Sequence, residues 1–223
     1  MSLQLYYHPL SSFCWKVLIA LYETDTPFTP ILVDLGNPTE RAALRALWPI
    51  GKFPVLRDDA RDVVLPESSI IIEYLATHYP GRVPLIPTET DPALRTRLRD
   101  RSLDLYVHLP MQKITGDRLR PPVSRDAHGV GEARTQMRTA LDMFEAETSD
   151  GGWGIGEAFS LADCAAAPAL FYADKVLPFR ATHPKLAAYL DRLMARPSFA
   201  RVLEEAQPYF HLFPEEPAAS EAS

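Results

Sequence analysis

The chain has 223 residues, 47% of them hydrophobic, and a formal net charge of −6. That length suits one large domain or two modest ones with real cores, and the acidic balance argues against nucleic acid as a partner. No run of about 18 apolar residues occurs and no basic stretch leads the N-terminus, so no membrane association is expected and a cytoplasmic protein is the default.

Leu3, Leu5 and Tyr7 alternate with polar or aromatic neighbours as in a short strand. A helix is predicted over 13–23, with Cys14, Val17, Leu18 and Leu21 on one face. A second strand follows over 28–33 and a short helix over 41–47. Val55 and Leu56, then Val63 to Leu65, read as two strands joined through 58–62, and a helix over 69–78 closes the series. This order predicts a small mixed sheet with helices on its faces. Residues 1–80 are therefore read as an α/β domain and 81–91, rich in proline, as a linker. Beyond the linker apolar residues recur at helical spacing over 93–119, 130–147, 161–176, 184–195 and 199–206. Residues 92–213 thus read as an all-α helical bundle, and 214–223, with nothing to bury, as a disordered tail.

Where the first strand feeds the first helix stands Ser11-Ser12-Phe13-Cys14, an S-x-x-C in place of C-x-x-C. The missing thiol argues against dithiol chemistry. A helix start presents unpaired N–H groups and the positive end of the dipole, which favour an anion. If that anion is a thiolate, Ser11 can donate a hydrogen bond to it and the sulfur comes from a ligand. Ser12 is the runner-up donor; Tyr6 and Tyr7 are weaker, because strand tyrosines more often pack. Cys14 itself reads as a buried thiol on an apolar face rather than a nucleophile.

Two distant cysteines, Cys14 and Cys164, give no disulfide framework, which fits a reducing compartment, and six scattered histidines show no metal-ligand spacing, so no metal is expected. The Arg95, Arg97, Arg99, Arg101 run lies near Asp91, Asp100 and Asp104 and reads as a solvated helix face. Ser160-Leu161-Ala162-Asp163 is a capping box that marks a helix start. Gly151, Gly152, Gly154 and Gly156 precede it without any G-K-[ST], so they read as a flexible connection rather than a phosphate loop.

Ser11 to Val17, Gly51-Lys52-Phe53-Pro54-Val55-Leu56, Pro66-Glu67-Ser68-Ser69-Ile70-Ile71, the Phe159–Asp163 segment and the run from Pro184 to Phe199 occur together. On these the chain resembles the cytosolic glutathione S-transferases from end to end. The spacing S-S-x-x-W-[RK]-V is similar to the bacterial, serine-dependent, zeta/theta-like classes, with Phe13-Cys14 where zeta has Cys-Ser. The resemblance implies a thioredoxin-like N-terminal domain holding glutathione, a helical domain shaping an electrophile pocket, a role in detoxification, and a homodimer.

Residue by residue, it implies Ser11 as the catalytic hydroxyl. A proline inside strand-like K-F-P-V-L belongs at the strand entry; the resemblance favours a cis bond at Pro54, which turns Phe53's backbone outward toward the cysteinyl unit. Glu67 and Ser68 form the γ-glutamyl clamp, while also being able to cap the following helix. Lys52 meets the glycyl carboxylate or is a plain surface lysine. Lowering a thiol from its usual ~8.5 by about two units takes ~2.7 kcal/mol, which one hydroxyl and a helix N-terminus can supply. Asp104 is expected to reach the ammonium group of a neighbouring chain's glutathione. Tyr106, His108, Met111 and Gln112, around a kink near Pro110, and Tyr209, Phe210 and Phe213 are candidates for the electrophile pocket or for ordinary interdomain packing. Three functions stay open: conjugation of glutathione to a hydrophobic electrophile; glutathione-dependent isomerisation, as by maleylacetoacetate isomerase, or thiol transfer; and a non-catalytic glutathione-binding or assembly module.

Overall fold

The computed structural model describes residues 2–216. Its N-terminal half runs β1 (Leu3–Tyr7), α1 (Ser12–Glu23), β2 (Thr29–Leu32), α2 (Pro38–Leu47), β3 (Val55–Asp58), β4 (Val63–Pro66) and α3 (Ser68–His78). The sheet order is β2-β1-β3-β4, with β1 parallel to β2 and antiparallel to β3, which pairs antiparallel with β4. Side chains alternate across the sheet. Leu3, Leu5 and Leu56 therefore enter the core beneath α1 and α3, whereas Val55 turns to the opposite face and joins Val33 and Leu44 beneath α2.

The C-terminal half is helical: α4 (Thr90–Leu103), a π turn (Asp104–His108), α5 (Leu109–Arg118), α6 (Ala127–Glu147), α7 (Leu161–Val176), α8 (Pro184–Ala195), α9 (Pro197–Ala206) and a 3-10 turn over Gln207–Leu212. The kink expected near Pro110 is this π turn. Proline cannot donate to the carbonyl four residues back and its ring crowds it, and the wider turn, closed by Leu109 N–H on the Asp104 carbonyl, relieves both. Among the described residues no helix is long and apolar enough to cross a membrane.

α7 is buried along its whole length and packs on α1, so one core runs through both halves. At the seam Trp15, fully buried, meets Phe171, Tyr172, Phe199 and Phe210; truncating such a residue costs about 3–5 kcal/mol. Asp163 closes the capping box by accepting from the Ser160 N–H at 2.8 Å. Its other oxygen takes the Gly154 N–H at 2.6 Å and the Tyr189 hydroxyl. The glycine segment read as flexible is thus pinned, with Trp153 and Gly156 bridged as in a β-turn. The predicted tail also begins as ordered chain. Arg118 donates to the Pro214 carbonyl, and Arg118 and Arg134 both bind the Glu216 carboxylate. Residues 217–223 of that expectation lie outside the described residues.

Candidate active site

The turn between β1 and α1 is held from behind. Trp15 donates its indole N–H to the Pro9 carbonyl and the Tyr172 hydroxyl donates to the Leu10 carbonyl at 2.8 Å. Ser11 N–H closes the turn on the His8 carbonyl at 3.0 Å. With its backbone groups satisfied, the turn is a fixed platform. Ser11 sits at the N-cap of α1 in extended conformation, and its Oγ accepts from the Cys14 N–H at 3.3 Å. The hydroxyl hydrogen is thereby left free to donate outward. Cys14 points the other way, fully buried, and burial pushes its thiol up to about 12 against the opposing hydrogen bonds of Ser11 and the His8 backbone.

Ser11, Lys52, Phe53, Pro54, Glu67 and Ser68 line one cleft of about 330 Å³, together with Phe13, Leu35, Trp48, Leu109 and Gln112. Gly51, at φ +70°, makes the turn into this segment, and the Phe53–Pro54 bond is cis. Glu67 precedes α3 at φ 70°, a conformation unfavourable for a residue with a side chain. It is exposed and makes no capping bond, so its carboxylate is available to the cleft. Ser68, the first residue of α3, is buried at the helix N-terminus. A cation, an anion and a helix start thus line one groove.

A second cleft of about 330 Å³ adjoins the first and shares Ser11, Phe53 and Gln112 with it. Its other walls are His8, Leu10, Ser12, Met111, Thr115, Gly116, Leu119, Tyr172, Leu212, Phe213 and Pro214. Of the residues expected there, Met111, Gln112 and Phe213 line it. Tyr209 stands at its edge, with its ring 6.0 Å from that of His8. Phe210 is turned away, packed on Trp15 and Phe171 beneath Lys175. Tyr106 is exposed outside the cleft, and His108 is fully buried against Phe13, so neither shapes it. Thr115, Gly116 and Leu119 were missed in the sequence, although helical spacing from Met111 and Gln112 points to them.

Asp104 also departs from expectation. Lys16 on α1 is fully buried, and its Nζ lies 2.7 Å from Asp100 and 2.7 and 2.8 Å from the two oxygens of Asp104. Ser69 donates to Asp100 at 2.6 Å, and His108 Nδ1 lies 3.2 Å from Asp104. A buried ammonium needs counter-charge, and these carboxylates supply it. Burial alone raises the Asp104 carboxyl, but His108 and Lys16 reverse this and hold it low. Asp100, with burial dominant, is held above the usual range. Asp104 is thus committed inside its own chain and does not extend toward a neighbouring one.

With its helices closing a second cleft over Ser11, the chain joins a thioredoxin-like sheet half to a helical half. Comparison with known proteins agrees. Residues 5–83 match the family model for the glutathione S-transferase N-terminal domain and 103–197 that for its C-terminal domain. The chain is 27% identical to glutathione S-transferase GstB of Escherichia coli K12, over 84% of this chain and 91% of that protein. It is 26% identical to maleylacetoacetate isomerase of Pseudomonas aeruginosa, over 93% and 98%. Among solved structures, a Methylobacterium radiotolerans glutathione S-transferase in complex with glutathione sulfonate superposes with TM-score 0.80 at 27% identity, covering 99% of each chain. A Methylobacillus flagellatus glutathione S-transferase with glutathione bound gives 0.82 at 26%, over 90% and 98%. The chain belongs to the glutathione S-transferase family and is an enzyme of it.

Proposed function

We propose that the protein binds glutathione in the first cleft, holds its sulfur as a thiolate at Ser11, and conjugates it to a neutral, largely apolar electrophile in the second. The observation that carries this reading is the meeting of the two clefts at Ser11. In this reading Ser68 and the α3 N-terminus take the γ-glutamyl carboxylate, Glu67 its ammonium, the Phe53 backbone the cysteinyl unit and Lys52 the glycyl carboxylate. Ser11 accepts the Cys14 N–H with a lone pair and gives its hydrogen to the sulfur. The α1 dipole adds its positive end, and catalysis is thiolate stabilisation plus positioning.

Similarity to a maleylacetoacetate isomerase favours a second reading, isomerisation of such a substrate. Among the described residues lining the second cleft there is no lysine or arginine, so a dicarboxylate there lacks counter-charge, which supports conjugation over isomerisation. Titration calorimetry tests the glutathione site. Wild type is expected to bind at up to millimolar concentration and Glu67→Ala and Ser68→Ala each to lose about tenfold, as befits a charge-assisted hydrogen bond. Unchanged affinity in both variants, or no binding by wild type, refutes the assignment.

A further inference from the structure

His8 enters neither the thiolate site nor the core, yet its ring forms a wall of the second cleft. The ring is stacked on Phe53 at 5.9 Å and meets Tyr209 edge-on. Its Nδ1 accepts the Leu10 N–H at 3.2 Å. In the neutral ring one nitrogen accepts and the other donates, so the proton sits on Nε2. Burial holds the imidazole below its ordinary pKa, with Asp34 opposing, which keeps that neutral form at pH 7. Among the described residues Nε2 has no hydrogen-bond partner.

The remaining polar groups of the cleft are mostly committed. The Tyr172 hydroxyl serves the Leu10 carbonyl and the Thr115 hydroxyl the Met111 carbonyl. With Ser11 assigned to sulfur, an electrophile meets apolar walls from Leu10, Met111, Leu119, Leu212 and Phe213, a fixed N–H from His8 and the Gln112 amide. That is a site for an apolar body carrying one oxygen acceptor.

We propose that His8 is a catalytic residue for conjugate addition, donating its Nε2–H to the carbonyl oxygen of an α,β-unsaturated ketone or aldehyde; this rests on the conjugation reading above. The thiolate sulfur forms a bond to the β-carbon, and the Cα=Cβ pair shifts to give an enolate whose charge falls on the oxygen facing His8. The α-carbon then takes a proton from water, restoring the carbonyl, and no oxidant or reductant is needed. A neutral imidazole suits this step, because the enolate needs a hydrogen bond and not a proton at oxygen. Opening an epoxide would instead require an acid able to give its proton up.

The test measures kcat/KM with trans-4-phenyl-3-buten-2-one beside two readouts of the thiol site, glutathione affinity by calorimetry and the thiolate absorbance titration. His8→Phe retains the stacking ring and removes the Nε2 donor together with the Nδ1 acceptor of the Leu10 N–H, so the two thiol readouts also report whether the turn carrying Ser11 is disturbed. The variant is expected to lower kcat/KM about 10–100-fold, at or below the lower edge of the roughly 100–1,000-fold cost of losing one oxyanion donor, with both thiol readouts unchanged. His8→Gln, which keeps an N–H, is expected to recover part of the loss. Wild-type enzyme without turnover of the enone, His8→Phe at wild-type rate, or a loss matched by an equal shift in the thiolate titration overturns the role of His8. Absence of glutathione binding by wild type overturns instead the conjugation reading beneath it.

Discussion

At the scale of single residues, Ser11 and Cys14 stand three positions apart and face opposite environments. Ser11 opens on both clefts, whereas Cys14 is sealed in the core with its thiol pushed up to about 12. Replacing Ser11 with Ala is expected to raise the pKa of bound glutathione and to cut turnover about tenfold or more, with stability changed by the loss of an N-cap, about 1 kcal/mol. Cys14→Ala is expected to cost about 1–2 kcal/mol through lost packing while the thiolate titration stays at its wild-type position. Thiolate absorbance against pH and thermal melts of both variants separate the two roles; an inactive but well-folded Cys14→Ala beside a fully active Ser11→Ala would move the chemistry to the cysteine. The gathering of Ser11, Lys52, Phe53, Pro54, Glu67 and Ser68 was legible because each lies in a short motif with its own local logic. Asp104 was misplaced because its partner, Lys16, is 88 residues away, and His108 because it joins Asp104 in that buried cluster; no local pattern announces that a lysine within an apolar helix will be buried.

At the scale of elements, helical periodicity served well. The bounds expected for α7 and α8 coincide with Leu161–Val176 and Pro184–Ala195, since buried faces and caps are written locally. α2 starts three residues earlier than expected, at Pro38, because Asn37 caps it and proline is tolerated in the first turn. A tie between elements gives a pH signature. Asp58, at the end of β3, accepts hydrogen bonds from Tyr74 on α3 and from Tyr79 just beyond it. Burial raises its carboxyl, but the two tyrosines, the Ala60 N–H and Arg61 together hold it below the usual range. The native carboxyl therefore binds its proton less readily than the unfolded one. Its stabilisation is complete above the ordinary value of about 3.9 and is lost as pH falls through the native value. Asp58→Asn is expected to be about 1–3 kcal/mol less stable than wild type at pH 7, with the gap closing in acid. Urea unfolding at pH 7 and pH 3 checks this, and a gap that widened in acid would contradict it.

For the whole molecule, the division into a mixed-sheet half and a helical half was visible from the change of periodicity near residue 80. The single core that crosses the division at Trp15 and α7 was not, because aromatic residues on separate helices carry no sign of their partner. Surface residues bear on assembly. Ile70 on α3 and Leu94 and Leu98 on α4 are 52%, 64% and 65% exposed, on two helices linked by the Arg97–Glu73 ion pair. A face of this kind on two adjoining helices suits a second copy related by a twofold axis. We propose a homodimer through it. Light scattering is expected to give twice the 25.0 kDa chain mass, and Leu94→Glu with Leu98→Glu is expected to shift the population to monomer. A monomeric wild type at high micromolar concentration would dismiss the proposal.

The two clefts that share Ser11 are drawn from unlike parts of the chain. Apart from Leu109 and Gln112, the first is written within residues 11–68, whereas the second adds one stripe along α5 and the segment from Leu212 to Pro214 to a floor of His8, Leu10, Ser11, Ser12, Phe53 and Tyr172. Mutations along that stripe and segment can therefore change what is accepted while the inherited half remains intact. In this architecture new specificity is reached by short drift in two places, and an ancestral chain can radiate into many substrate ranges without reinventing its reagent.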